Sequence, residues 1–424
     1  MTESLYLFGF VVSVILILWE TKEKPLGIFL FVTTAMSVQI IGIFVFQSIF
    51  PSPTNVKALF LFDLSALGIW IGIRIWKLSH NDKDLCQNRN PDATFSWLFP
   101  ESSLWYVLFS IALILILSYS FVGKFIPLLV SHSASAKVQF AMGRGIYMRL
   151  FKVFIPITAM LITAHMLTNK LSFLKKTAFV LLIGVLMIFS FSTAYKAWPA
   201  FVLIFIFLLF YYTKKRVKTF YFVGLTLLCV ITALLVTYFI YGSNLSDTAF
   251  ILSKRLTADQ VLPVIKSVEM VEKEGTKGGL TFIWDLQYML GTFRITERPP
   301  TVLAVYLFNR LYGKNPYSMT APPGFVGEVF LNFGFLGLAV FSVLFGYILF
   351  SLHRTTSAAP RITRKIFYIY IMFIFFYTVF GGTIIASFED LAISGALFLI
   401  VWITYCGLVR IADAATTMSK NTEI

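Results

Sequence analysis

The residues able to do chemistry in this chain are few, and most are cations. No Asp or Glu occurs from Ser102 to Ser246, whereas thirteen Lys or Arg do. Lys124, Lys137 and Arg144 come first on the outer side of that stretch, and Arg149 and Lys152 continue one or two turns into the next apolar run. A guanidinium or ammonium at a membrane edge costs free energy unless it snorkels, pairs or faces a wet cavity. With no local carboxylate, the counter-ion comes from elsewhere in the fold or from a ligand. The planar two-donor fork of Arg matches phosphate oxygens, so an anionic phosphate lipid is the natural ligand. Arg144, set between Gly143 and Gly145, is the strongest candidate; Lys124 and Lys137 also read as plain surface residues. Lys196, between Tyr195 and Trp198, reads as an interfacial anchor among aromatics. Arg255 opens a loop helix, and Arg294 and Arg298 bracket Ile295-Thr296-Glu297 before a double proline. A salt bridge to Glu297 would account for either of the last two arginines.

Embedded acids are rarer. Glu328 lies about one turn into the apolar run that begins near Pro323-Gly324. The helix macrodipole favours a carboxylate there, which accounts for it structurally. At the mouth of a bundle the same group could act as a general base, because burial makes a carboxylate a better proton acceptor. Asp63 and Arg74 in the third run are explained by pairing or by tilt, and Glu389 and Asp390 close a late outer turn as solvated residues. His165 has no neighbour at metal-ligand spacing and reads as a satisfied bundle histidine. No glycine-rich phosphate loop, CxxC, HExxH or GxSxG occurs, so neither a metal nor a nucleotide cofactor is expected.

The elements that must position these groups are membrane helices. The 424 residues are 58% hydrophobic and 13% charged, with mean hydropathy +0.82, whereas soluble domains carry roughly a quarter of their residues as charges. With 46 Phe, 19 Tyr and 8 Trp, the apolar surface exceeds what one water-facing core can bury, and lipid must cover it. Cys86, Cys229 and Cys406 are odd in number and far apart, which indicates no disulfide framework. Ser4–Trp19 follows an acidic residue and lacks a small-residue cleavage site, so it reads as a first span.

Apolar runs lie near 4–19, 26–50, 56–78, 103–122, 146–168, 176–193, 197–213, 219–242, 324–350, 365–387 and 391–409. They predict an all-α polytopic bundle of about eleven spans, a single integral membrane domain over 1–424. Ten or twelve spans stay open, because the first run is short and the sixth and seventh are separated only by Ala194-Tyr195-Lys196. Lys and Arg gather in alternate connections, at 22–24, 77–89, 170–176, 214–218 and 354–365. The positive-inside rule makes that side cytoplasmic, with the N-terminus and the segment 243–322 outside and the C-terminus inside. The net charge of +15 thus reads as orientation signal and lipid attraction, with no nucleic-acid partner expected.

The segment 243–322 is a structured external loop. Val261, Leu262, Ile265, Val268 and Val271 recur at helical spacing over Ala258–Glu274, and Gly275-Thr276-Lys277-Gly278-Gly279 ends that helix. Apolar stretches follow over Leu280–Phe293 and Thr301–Tyr312. Helices of this kind lie in the interface or cap a cavity.

The run Thr320-Ala321-Pro322-Pro323-Gly324-Phe325-Val326-Gly327-Glu328, continuing through Asn332-Phe333-Gly334 and Gly337 to Gly346, resembles a segment of the Wzy-type O-antigen or oligosaccharide repeat-unit polymerases. There a loop ending in Thr/Pro/Gly leads into a span bearing a Glu and an Asn-Phe-Gly-x-x-Gly run. The glycines alone would be explained by close helix packing. The resemblance covers most of the chain as architecture and about thirty residues as motif. Family members often carry Arg at the tight outer turn, where this chain has Lys196, and an Arg-to-Gly pattern of the family's large loops is not clear here.

The resemblance implies a GT-C-like, metal-independent glycosyltransferase of the bacterial inner membrane. It would polymerise undecaprenyl-diphosphate-linked oligosaccharide repeat units into O-antigen, capsule or exopolysaccharide, moving the lipid-linked glycan to the non-reducing end of an acceptor unit. Glu328, Arg255 and Arg294 would be catalytic, with Arg144, Arg149, Lys196 and Arg298 on the diphosphate. Its partners would be the lipid-linked oligosaccharide, membrane lipid and a chain-length regulator protein. An O-antigen ligase would share fold and donor but use another acceptor. A flippase or transporter is the non-enzyme alternative; the large structured loop, the lack of internal repeats and the shortage of paired charges deep in the spans stand against it.

Overall fold

The computed structural model describes residues 2–21, 27–80, 103–122, 150–193, 195, 197–213, 258–292, 295–297, 301–313, 320–357 and 362–393, with isolated positions elsewhere. Every element among them is helical. Three helices open the chain, α1 (Thr2–Thr21), α2 (Ile28–Ile49) and α3 (Pro53–Ser79). After α4 (Ser103–Tyr119), a π-helical turn over Leu150–Phe154 runs into α5 (Ile155–Thr168). Then come α6 (Phe173–Ser192) and α7 (Ala197–Thr213). The loop carries α8 (Ala258–Glu274), α9 (Leu280–Thr292) and α10 (Leu303–Tyr312). The chain continues through α11 (Gly324–Ser357), α12 (Ile362–Phe380) and a helix over 384–393.

Among the described residues six helical stretches are long and apolar enough to cross a membrane: α1, α2, α3, Leu150–Thr168, α6 and α11. Shorter apolar helices fall within α4, α7 and α12. Each coincides with a predicted apolar run. The runs near 219–242 and 391–409 lie mostly outside the described residues. Large apolar side chains such as Phe8, Trp19, Leu78, Phe173 and Leu336 stand exposed on these helices, a surface that only lipid covers at low cost.

The bundle is held by small-residue contacts. In the α3–α11 pair a Cβ on Gly72 or Gly346 would overlap the partner's backbone, and Ser342 Oγ donates to Ser65 Oγ at 3.0 Å. Such residues let two backbones approach closely, and in lipid that packing holds helices together. Pro53 at the first turn and Ser52 as N-cap start α3, Ser52 Oγ accepting from the Thr54 amide at 3.3 Å. Arg74 pairs with Glu20 at 2.7 Å, as does Lys77, so an acid from α1 supplies the pairing expected of Arg74.

The first loop helix packs into the bundle. Val261, Val264, Ile265 and Val268 are buried in the main core, and α8 packs against α11, α2, α3 and α10. Met270, Leu303, Leu307 and Leu331 form a second small core beneath α10.

Candidate active site

Gly324 places the site. Its φ is +65°, and a Cβ there would overlap the carbonyl oxygen of Val379, so glycine is needed where α11 begins against the end of α12. One turn further, Glu328 is fully buried and faces the turn 381–384. Its Oε2 accepts the Ile384 amide at 2.6 Å. Ile384 opens the helix over 384–393, so the carboxylate satisfies an otherwise unbonded N–H and sits at the positive end of a second helix. Glu328 Oε1 is buried with no hydrogen-bond partner among the described residues. Gln39 Nε2 donates to the Phe380 carbonyl at 3.0 Å, and a Cβ on Gly381 would crowd Gln260 of α8. The turn is therefore clamped from both sides.

A second acid meets the same turn. Asp285 of α9 is buried, accepts the Leu303 amide at 3.1 Å and thereby caps α10, and faces Thr383. Burial pushes this carboxyl above the usual carboxylate range; the Leu303 amide and the Thr383 hydroxyl pull it back in part, and the nearby Glu389 pushes it up again.

The Asn-Phe-Gly run joins loop to span. Gly334 breaks α11 with φ 66° and ψ −159°, a conformation open almost only to glycine. The break frees the carbonyls of Leu331 and Asn332, which accept the Lys277 and Gly278 amides, each at 2.9 Å. Asn332 Nδ2 donates to Thr281 Oγ1 at 2.6 Å and to the Glu328 carbonyl at 2.9 Å, and Oδ1 accepts the Thr281 amide at 3.3 Å. The motif thus seats the α8–α9 turn above Glu328.

One cation is described close to this turn. Pro156 lacks an N–H and its ring would clash with the carbonyl four residues back, that of Lys152; the chain widens there into a π turn. Lys152 then bonds to the carboxylate of Asp390 and lies 4.0 Å from the centroid of the Tyr377 ring. Glu389 and Asp390 were expected to be solvated. Both are buried, because the helix over 384–393 packs inward and brings Asp390 to Lys152. Tyr195 stacks on Trp198 at 4.2 Å, and burial, with Tyr377 nearby, pushes its phenol above the usual range. Tyr195 therefore lies near the Lys152 pair through Tyr377.

Glu328 lies one turn into α11 and is buried there. Arg144, Arg149, Lys196, Arg255, Arg294 and Arg298 lie outside the described residues. Thr383 and the Lys152–Asp390 pair were not singled out; Pro156 after a lysine and Gly381-Gly382-Thr383 before an acidic helix were the available signals. His165 contacts Asn169 at 3.0 Å and packs on Tyr106 and Phe179, a bundle histidine.

Helices of membrane-crossing length, a loop docked on their ends and a buried carboxylate beneath it define a polytopic all-α membrane protein with an enclosed acidic site. The family model described as "Putative O-antigen polymerase" matches residues 29–381. The chain belongs to that family, and the match spans Glu328, Asn332 and Gly334. No curated protein and no solved structure matches it.

Proposed function

We propose that this protein polymerises undecaprenyl-diphosphate-linked oligosaccharide repeat units at the outer face of the bacterial inner membrane. The observation that carries this reading is Glu328, a buried carboxylate with one oxygen held by the Ile384 amide and the other without a partner among the described residues, inside the family-matched region. In the transfer, an acceptor hydroxyl attacks the first sugar carbon of the donor. The carbon–oxygen bond to the diphosphate breaks, and the hydroxyl proton passes to Glu328 Oε1. The Ile384 amide holds Oε2, which aims the free oxygen. Arg255 and Arg294 would neutralise the leaving diphosphate, with Arg144, Arg149, Lys196 and Arg298 holding it before cleavage. Release of the diphosphate drives the reaction without a nucleotide.

The test is deletion of the gene and electrophoresis of surface polysaccharide. A polymerase leaves a single repeat unit with loss of the ladder. Full-length polymer stranded on its lipid carrier would mean a ligase, and repeat units retained inside would mean a flippase.

A further inference from the structure

A second site lies on the face of α8 opposite Gly327, the neighbour of Glu328. A cavity of about 480 Å³ lies between the α2–α3 connection and α8 with α10. Part of its lining is apolar, formed by Phe46, Ile49 and Phe50 at the end of α2 and by Leu262 and Ile265 of α8. Lys266, Glu269 and Arg310 add charged groups to the same lining. The α2–α3 connection joins two membrane-length helices, so the cavity lies at the end of two spans. An apolar wall beside two cations there fits an amphiphile with an anionic phosphate head.

Both cations are already paired, Lys266 with Glu269 at 2.8 Å and Arg310 with Glu274 at 3.2 Å. The four side chains are a quarter to a half exposed, and such pairs contribute little. Exchange of a carboxylate for a phosphate is therefore inexpensive, and a diphosphate offers enough oxygens for both cations.

The placement distinguishes the occupant. Val264 and Ser267 of α8 lie against Gly327, the residue before Glu328, whereas Leu262, Ile265, Lys266 and Glu269 line the cavity, so the two sites stand on opposite faces of a helix about 10 Å across. A lipid held there could not present its own diphosphate linkage to Glu328. It could present the far end of an oligosaccharide attached to that diphosphate. We infer that this cavity holds the diphosphate of the acceptor, the lipid-linked unit whose linkage survives the reaction, while the donor's diphosphate departs at a separate site. The inference rests on the polymerase reading.

The experiment compares wild-type protein with the Lys266→Gln/Arg310→Gln variant, both reconstituted in phosphatidylcholine nanodiscs. With lipid-linked repeat units, the KM for acceptor should rise about 10-fold or more while kcat and the donor KM hold, because charge-assisted bonds to one substrate alone are lost. An unchanged acceptor KM in folded variant overturns the inference. Binding supplies a readout apart from activity: by native mass spectrometry, wild type should retain a second molecule of undecaprenyl diphosphate that the variant does not. Equal displacement of that molecule by phosphatidylglycerol would make this a bystander lipid site and overturn the assignment. Retention of the second diphosphate lipid without any polymerisation by wild type would sink the polymerase reading, and the acceptor assignment with it, while leaving the cavity a diphosphate-lipid site.

Discussion

Glu328 and Asp285 converge on consecutive residues of one turn: Oε2 of Glu328 accepts the Ile384 amide at 2.6 Å, and the Asp285 carboxylate faces Thr383. One acid comes from a span and the other from the loop. The turn between α12 and the helix over 384–393 is thus fixed jointly by membrane core and loop. Any shift of α9 would be felt at the carboxylate proposed to take the proton.

Glu328→Gln keeps an oxygen that can accept the Ile384 amide but cannot accept a proton. The variant should fold and bind lipid-linked substrate, with polymer formation reduced about 10²–10⁴-fold. Activity of the purified variant within a few-fold of wild type would place the base elsewhere.

Asp285 should make stability depend on pH. Its folded pKa is raised by burial, so it binds more protons folded than unfolded, and stability falls as pH rises from the ordinary value near ~3.9 through the folded value. Its contribution is fully present below that ordinary value. Asp285→Asn should flatten the corresponding stretch of a melting-temperature profile; parallel profiles for the two proteins would show that Asp285 ionises normally.

Gly334→Ala should destabilise the protein by at least ~1–3 kcal/mol, because alanine does not tolerate this backbone conformation. It should also loosen the Lys277–Gly278 contact, read as faster proteolysis in the α8–α9 turn. Gly184→Ala is the control. It lies within α6 with open space around it and should be stabilising by about 0.5–1 kcal/mol. Equal effects at the two positions would refute the account of the kink.

The Lys152–Asp390 pair is largely buried. Removing either partner deletes a buried charge–charge contact and should lower thermal stability. Lys152→Met with Asp390→Leu should recover part of that loss, a coupling measurable as a double-mutant cycle in thermal stability. Additive losses would mean that the two residues act independently.

Topology is testable by impermeant thiol labelling after Lys277→Cys or Lys215→Cys. With 243–322 outside, only the residue at 277 reacts in intact cells with a permeabilised outer layer. Reaction at 215 alone would reverse the orientation.

Local pattern determined much of this protein. Apolar runs long enough to cross a membrane, broken by basic connections, define the helices, because in hydrocarbon the backbone must satisfy itself within each segment. The loop helix over Ala258–Glu274 was legible from its apolar spacing and its glycine stop, and Glu328 from its rarity as an acid in an apolar run. Tertiary structure alone decided what those residues meet. Glu328 caps a helix that begins 56 residues later, and Lys152 finds its carboxylate 238 residues away. Glu389 and Asp390 are buried although a turn beside a span reads as solvated, and α8 enters the core although its pattern fits an interface equally well. The reason is physical: periodicity fixes which face of a helix is apolar, whereas the partner for that face, and for each charge within it, depends on segments that meet only when the chain has packed.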